Sequence, residues 1–292
     1  MTAALFNVVT PVLLCIAVGW VWARQSRPFD TRGMADLITL VGTPCLIFST
    51  LTGVALPADQ LWQMALATLL SIVAFGLIGL AVLLPLKLPY RTYLPPLMFA
   101  NIGNMGLPLC LFAFGDEGLA LAIVVLAVFS VVNFTLGIWL YAGSGSAGHL
   151  WRQPMILATV VAVIFLLADL QPPVWLDSTT SLLGAFTIPL MLVMLGVSLA
   201  RLRVTRLPRA LWLSVVRIGG GLLVGVLIAE AFQMEGVARS VLILQSAMPV
   251  AVFNYLFAVR YNRDPETTAG LVVVSTVLSV FTLPPLLFWL MG

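Results

Sequence analysis

Apolar runs long enough to cross a lipid bilayer follow one another along almost the whole chain, and this pattern constrains the fold most. A helix needs about 20 mostly apolar residues to span the hydrocarbon core of a membrane. The sequence therefore predicts an all-α integral membrane protein of ten transmembrane helices. These predicted helices, called spans 1 to 10 below, are Ala3–Ala23, Gly33–Gly53, Leu61–Leu86, Leu94–Phe114, Gly118–Tyr141, Pro154–Leu170, Trp175–Ala200, Pro208–Ala231, Val237–Arg260 and Thr267–Met291.

The few polar and charged residues exclude several classes of function. Only 9% of residues are charged, whereas a soluble domain carries about a quarter. The three cysteines lie inside apolar runs and the single His149 has no partner, so no metal centre, nucleophilic triad or bound cofactor is expected. The only lysine, Lys87, is in no phosphate-binding loop, and a net charge of +3 is too small for a nucleic-acid partner. We therefore do not expect an enzyme.

The basic residues indicate how the chain is oriented. Span 1 has no basic segment before it, so we expect a retained helix and not a cleaved signal peptide. The loops after the odd-numbered spans hold nearly all the basic residues, whereas those after the even-numbered spans hold only Arg239. Cytoplasmic loops are the ones enriched in Lys and Arg, so both termini are predicted to lie outside. The basic residues are, loop by loop, Arg24, Arg27 and Arg32; Lys87 and Arg91; Arg152; Arg201, Arg203, Arg206 and Arg209; Arg260 and Arg263.

Landmarks in the first half recur in the second, at about half the chain length. Pro44 of span 2 corresponds to Pro189 of span 7, and Pro108 of span 4 corresponds to Pro249 of span 9. Phe-Thr-Leu occurs in both span 5 and span 10. Each half contains an odd number of spans, so the second half would enter the membrane inverted, as in many secondary transporters. We predict a first repeat over residues 1–142, a linker over 143–153 and an inverted second repeat over 154–292.

Spans 4 and 9 carry polar residues and helix breakers at matching places. Span 4 contains Ala-Asn-Ile-Gly-Asn-Met-Gly-Leu-Pro up to Pro108, and span 9 contains Gln-Ser-Ala-Met-Pro up to Pro249. Interrupted backbone at mid-membrane is tolerated where it lines a cavity or meets protein partners, so the two breaks are expected to cross. A half-helix starting near each proline would offer its N-terminus to a carboxylate. A proline kink with no ligand is the alternative for each helix. The candidate substrate-binding residues are Asn101, Asn104, Gly106, Pro108, Ser246, Pro249 and Asn254.

Arg217 is the one ionisable residue deep inside a span, and such residues are functional candidates by default. It would attract an anion inward, or its long side chain would reach the cytoplasmic surface. No Asp or Glu lies at mid-span, which argues against Na⁺ coupling, although backbone carbonyls leave the coupling ion open. Pro44 and Pro189 are expected to be simple kinks, with Thr43 and Thr187 within reach of a central site.

Three motifs give the whole chain a resemblance to the auxin efflux carrier family: Gly-Asn-Met-Gly-Leu-Pro at 103–108, Met248-Pro249, and Phe-Thr-Leu-Pro at 281–284. The short middle loop is similar to that of the compact bacterial members, which include malonate transporters. The resemblance implies a crossover of spans 4 and 9, an organic anion beside it, and an elevator movement of a transport domain against a scaffold. By match to the family motif, Asn101, Asn104, Pro108 and Pro249 carry over. The resemblance also implies a bacterial inner membrane and leaves a homodimer open.

The predicted function is therefore secondary transport of a small organic anion, a mono- or dicarboxylate. A Na⁺-coupled carrier like the bile acid:sodium symporters is the alternative within transport, because it shares the inverted plan. A membrane sensor with a transporter-like fold is the alternative outside it.

Overall fold

The computed structural model describes residues 2–53, 57–143, 154–168, 170–202, 204 and 206–292. Within them the secondary structure is helical, apart from one isolated bridge that is described with the site. The predicted linker after Gly143, with His149 and Arg152, lies outside the described residues, as does Arg203. The helices are α1 (Thr2–Arg24), α2 (Thr31–Gly53), α3 (Ala58–Leu83), α4 (Tyr90–Met98), α5 (Ile102–Ala142), α6 (Pro154–Leu167), α7 (Val174–Arg201), α8 (Leu207–Ala231), α9 (Gly236–Ser246), α10 (Val252–Arg260) and α11 (Pro265–Leu290).

The helices fall within the apolar runs that the sequence marks as spans. Six helices of the described chain are long and apolar enough to cross a membrane on their own: α2, α3 from Asp59, α5, α7, α8 and α11. Shorter apolar helices cover Val8–Arg24 and Pro154–Leu166. The protein is thus a helical, multi-pass integral membrane protein. The count of ten crossings and the inverted repeat stay predictions.

The surface of the described residues is apolar in a way that suits lipid. Large apolar side chains point outward on many helices, among them Trp62 at 65%, Phe281 at 71% and Leu182 at 75% exposure. A soluble monomer rarely exposes such a continuous apolar surface. Several amide side chains lie in the interior of the protein instead of on this surface. Asn101, Asn104, Gln245 and Asn254 are all at 4% exposure or less.

Two groups of helices can be distinguished by their packing. In one group, α1 packs along α7, while α2 packs on α6 and α7. In the other, α8 packs on α11, α9 and α3. The close approach of α1 and α7 depends on glycine, because a Cβ at Gly196 would lie 1.9 Å from the Ile16 carbonyl oxygen. Small residues of this kind let transmembrane helices approach closely.

Helices α2 and α7 are interrupted just before their prolines, where the sequence predicted simple kinks. In α2 a π-helical turn, Ile38–Gly42, precedes Pro44, and in α7 a turn at Phe186 precedes Pro189. Proline has no N–H and its ring clashes with the carbonyl four residues earlier, so the preceding turn must change its bonding.

Spans 4 and 5 are joined through a single glycine. Gly115 has φ +66° and ψ −157° and divides α5 into residues 102–114 and 116–142. Glycine adopts this backbone conformation without a steric penalty, which explains why it stands at this position. The division lies where the sequence separates span 4 from span 5.

Candidate functional site

Two extended segments meet where spans 4 and 9 are broken. After α4 the chain is extended at Phe99, and before α10 it is extended at Ala251. The segments pair as an antiparallel bridge between Ala100 and Val250. The Asn101 N–H donates to the Pro249 carbonyl at 2.7 Å, and the Ala251 N–H donates to the Phe99 carbonyl at 3.2 Å. Residues 99–101 and 249–251 are called the crossover below.

The break in span 4 differs from the expected position. It was predicted near Pro108, but the extended residues end at Asn101, and helical backbone resumes at Ile102. Pro108 follows the π-helical turn Ile102–Gly106 within α5, as Pro44 follows one in α2, and the changed bonding of this turn accommodates its missing N–H and its ring. The break forms farther upstream because residues 99–101 pair with a segment distant in sequence. In span 9 the break includes Pro249, as predicted.

Side chains from three other places hold the crossover together. Asn254 donates through Nδ2 to the Phe99 carbonyl at 2.8 Å and accepts from the Tyr141 hydroxyl at 3.2 Å. The Ser275 hydroxyl of α11 accepts from the Val250 N–H at 3.0 Å. These bonds satisfy backbone groups that would otherwise be buried without partners, so the broken backbone is stable in an apolar surrounding.

A cavity of about 70 Å³ lies on one side of the crossover, and it has room for several water molecules or a small ligand. The N-terminal turns of α5 and α10 both line it, through residues 101–104 and residues 251, 253 and 254. The first backbone bond of α5 runs from the Gly106 N–H to the Asn101 carbonyl at 3.1 Å. The N–H groups ahead of Gly106 therefore have no acceptor within the helix. Two helix N-termini, each with partial positive charge, thus meet at one cavity.

Asn101 adds an unused donor to this cavity. Its side chain is 3% exposed, and its Nδ2 has no hydrogen-bond partner among the described residues. A buried amide without a partner costs free energy, so its presence needs an explanation. The Asn133 Oδ1 at the same cavity also has no partner in the described structure. One donor and one acceptor without partners thus belong to side chains that line the same cavity.

All three π-helical turns of the described chain contribute to the cavity lining. They are Ile38–Gly42, Ile102–Gly106 and Asn133–Gly137, and they place Thr39, Asn104 and Asn133 at the cavity. Such turns disturb the regular bonding of a helix and occur frequently at functional sites. Aromatic rings of Phe99 and Phe129 form part of the apolar wall.

The structure brings together three of the eight predicted site residues and places the others elsewhere. Asn101, Asn104 and Asn254 line the cavity. Gly106 faces the side chain of Gln245, while Pro108 is buried in α5. Ser246 ends α9, and Pro249 contributes its carbonyl to the crossover. Sequence reasoning missed Asn133, although a polar residue inside an apolar run was a usable signal.

Arg217, the eighth residue, lies away from the cavity and does not reach the surface. Its side chain is 2% exposed in α8, and its Cζ lies 4.4 Å from the centroid of the Phe75 ring. Nη1 donates to the Leu97 carbonyl at 3.2 Å and Nη2 to the Ser246 carbonyl at 3.0 Å. The guanidinium therefore binds backbone of both broken spans, which neither sequence interpretation foresaw.

The fold and the site define a class: a helical membrane protein with a cavity at a crossing of broken helices. Comparison of sequences identifies the family within it. The chain belongs to the family described as membrane transport protein, of the auxin efflux carrier type, whose model matches residues 4–151 and 146–289. The resemblance inferred from the motifs is thus confirmed, and the family is one of transporters and not of enzymes.

Individual relatives are distant. An uncharacterised transporter of Methanothermobacter thermautotrophicus is 27% identical over 87% of this chain and 79% of its own length. An uncharacterised transporter of Methanocaldococcus jannaschii is 24% identical over 64% of each chain. The "putative malonate transporter" of Rhizobium meliloti is 23% identical over 65% of this chain and 64% of its own. The chain thus aligns with less than two thirds of the length of two of these relatives.

Proposed function

We propose that this protein is a secondary transporter of a small organic anion, a mono- or dicarboxylate, which binds in the cavity beside the crossover. The observation that carries the proposal is the meeting, at one cavity, of two helix N-termini and the side chain of Asn101, whose Nδ2 has no partner among the described residues. A carboxylate is complementary to this set, because it accepts hydrogen bonds and carries the charge that a helix N-terminus favours.

The chemistry of the lining selects against other ligands. The described cavity lining contains no acidic side chain that would neutralise an amine or bind a cation. It also contains no basic side chain, so the helix termini and amide donors would supply the whole attraction for an anion. Each helix N-terminus contributes about 0.3–2 kcal/mol to a nearby negative charge. Such modest attraction suits a transporter, since the ligand must also leave.

The position of the cavity favours an elevator mechanism. The cavity is lined by the crossover and α5 on one side, and by Thr39 of α2 and Met155 of α6 on the other. Those two helices belong to the group that packs with α7, which is suited to act as the scaffold. The substrate would then move together with the crossover, while α2 and α6 of the scaffold stay in place. Ten spans in two inverted repeats, 1–142 and 154–292, complete this proposal, with both termini outside a bacterial inner membrane.

Binding and flux of carboxylates by the purified protein test the proposal. Thermal unfolding is measured with malonate, acetate and succinate, and with ethylenediamine as the oppositely charged control. A ligand that binds only the folded state at a hundred times its Kd stabilises it by about 2.7 kcal/mol, so the melting temperature should rise with a carboxylate. Proteoliposomes loaded with the binding anion should then take up labelled anion by exchange.

Two results would count against the proposal. Equal stabilisation by the diamine and the carboxylates would contradict an anion site. Binding of a carboxylate without exchange across the bilayer would instead favour a membrane sensor.

A further inference from the structure

The two carbonyls that Arg217 binds are those that the crossover leaves without helical donors. Within a regular helix the Leu97 carbonyl would accept from the Asn101 N–H, and the Ser246 carbonyl would accept from the Val250 N–H. The first of these N–H groups is diverted to the Pro249 carbonyl and the second to the Ser275 hydroxyl. Both carbonyls therefore depend on another donor, and the Arg217 guanidinium supplies it at 3.2 and 3.0 Å.

The groups around the guanidinium of Arg217 form a binding site for a cation. Leu97 and Ser246 belong to the last turns of α4 and α9, and helix C-termini carry partial negative charge. The Phe75 ring, 4.4 Å from Cζ, adds the attraction of an aromatic face for a cation. The described residues provide no carboxylate partner for Arg217, so the carbonyl ends and the ring compensate its charge.

The helices around the guanidinium of Arg217 leave little room for a further ligand. A Cβ at Gly221 would lie 2.1 Å from the Ser246 carbonyl oxygen, so α8 approaches the end of α9 as closely as glycine permits. The space that remains beside Arg217 is about 10 Å³, at the lower limit of what one water molecule needs. A cation that bound these carbonyl ends would have to displace the guanidinium.

We infer that Arg217 is a tethered cation that occupies the negative side of the crossover permanently, so that anion binding on the other side requires no Na⁺. The inference about anion binding rests on the proposed function, whereas the occupation of the cation site by Arg217 does not. Arg217 is a positioning residue: it holds the ends of α4 and α9, and through them the crossover, without touching the ligand.

The first test uses the unmodified protein in detergent. Its melting temperature is measured without substrate in sodium chloride and in N-methyl-D-glucamine chloride of equal ionic strength, and then with the carboxylate in both salts. We expect the same melting temperature in both salts and the same dissociation constant for the anion. A melting temperature or an anion affinity that depends on Na⁺ overturns the inference. The substrate-free measurement remains decisive even if no carboxylate binds.

The second test removes the guanidinium of Arg217 by mutation and then adds a small guanidinium compound to the buffer. Arg217→Ala should melt several degrees lower, and millimolar methylguanidinium should restore part of the loss. The matched control is Arg209→Ala on the same helix, because Arg209 also lies beside an aromatic ring, 5.8 Å from that of Tyr93, but binds no crossover carbonyl. Neither the wild type nor Arg209→Ala should be stabilised by methylguanidinium. Absence of restoration in Arg217→Ala, or equal restoration in the control, overturns the inference.

A second pair of variants serves if Arg217→Ala does not fold. Arg217→Lys keeps the positive charge, while Arg217→Met keeps a long side chain without it. The tethered cation predicts a higher melting temperature for the lysine variant than for the methionine variant. The reverse order would show that the site needs packing and not charge.

Discussion

Asn101 and Asn254 line the same cavity but differ in their hydrogen bonds, and replacing each by alanine should separate ligand binding from folding. The Asn101 Nδ2 has no partner among the described residues. The Asn254 Nδ2 donates to the carbonyls of Phe99 at 2.8 Å and Ala251 at 3.2 Å, and its Oδ1 accepts from the Tyr141 hydroxyl at 3.2 Å. The first amide donor has no partner in the described fold, whereas the second is engaged in it.

The expected magnitudes follow from these bonds. Asn101→Ala removes a donor that has no partner in the ligand-free protein, so the free energy of unfolding should change by about 1 kcal/mol or less. A hydrogen bond to a charged ligand is worth about 1.5–3 kcal/mol, so carboxylate binding should weaken roughly 10- to 150-fold. Asn254→Ala leaves the Tyr141 hydroxyl without this partner and removes one of the two donors to the Phe99 carbonyl, which keeps the Ala251 N–H. At about 1–3 kcal/mol for the unsatisfied hydroxyl and about 1 kcal/mol for the lost bond, it should destabilise the protein by roughly 2–4 kcal/mol.

Thermal unfolding without ligand and calorimetric titration with the carboxylate measure the two effects on the same preparations. Asn101→Ala should melt near the wild type and bind weakly, while Asn254→Ala should melt well below it. Asn101→Asp sharpens the comparison, because it keeps the size of the side chain but replaces the donor by an acceptor, and it should abolish binding. An Asn101→Ala protein that binds the anion with wild-type affinity, or melts as low as Asn254→Ala, would refute the reasoning.

Two further substitutions test how the crossover is held. Gly221→Ala should lower the free energy of unfolding by about 1–3 kcal/mol, because its Cβ would lie 2.1 Å from the Ser246 carbonyl oxygen. Gly219→Ala on the same helix is the matched control, since it meets nothing within 4 Å and should be neutral or stabilising in thermal unfolding. Ser275→Ala leaves the Val250 N–H without its acceptor and should cost about 1–3 kcal/mol in the same assay, with no change in secondary structure by circular dichroism. Equal melting temperatures for the two glycine variants, or an unchanged one for Ser275→Ala, would contradict these contacts.

Local signals in the sequence predicted much of the helical plan. Hydrophobic runs set the helices, and the polar residues with Pro and Gly in spans 4 and 9 indicated that both spans are broken. Their crossing was also predicted, and the bridge between Ala100 and Val250 shows it. These features depend on composition over one or two turns, so a single sequence is enough to reveal them. Whether the chain crosses the membrane ten times in two inverted repeats still awaits a topology measurement.

The individual roles of residues at the crossover could not be read in the same way. Asn101 and Asn254 look equivalent in sequence, and only the distant partners Phe99 and Tyr141 show that Asn254 is structural. Arg217 is a similar case, because its two acceptors lie 120 and 29 residues away along the chain. Pairing across such separations depends on how the helices pack. Sequence patterns over a few residues carry no information about it.

Under the proposed function, the electrostatics of the crossover account for anion binding without a basic side chain in the cavity wall or a carboxylate in the core. Crossing two broken helices places the N-termini of α5 and α10 at the cavity, and it leaves carbonyls at the ends of α4 and α9 without donors. In an apolar interior, carbonyls without donors cost free energy, as N–H groups without acceptors do. Arg217 stabilises the carbonyl ends with a charge that cannot dissociate from the protein. The N-termini of α5 and α10 are then left for a ligand, and the ligand that we propose for them is a carboxylate.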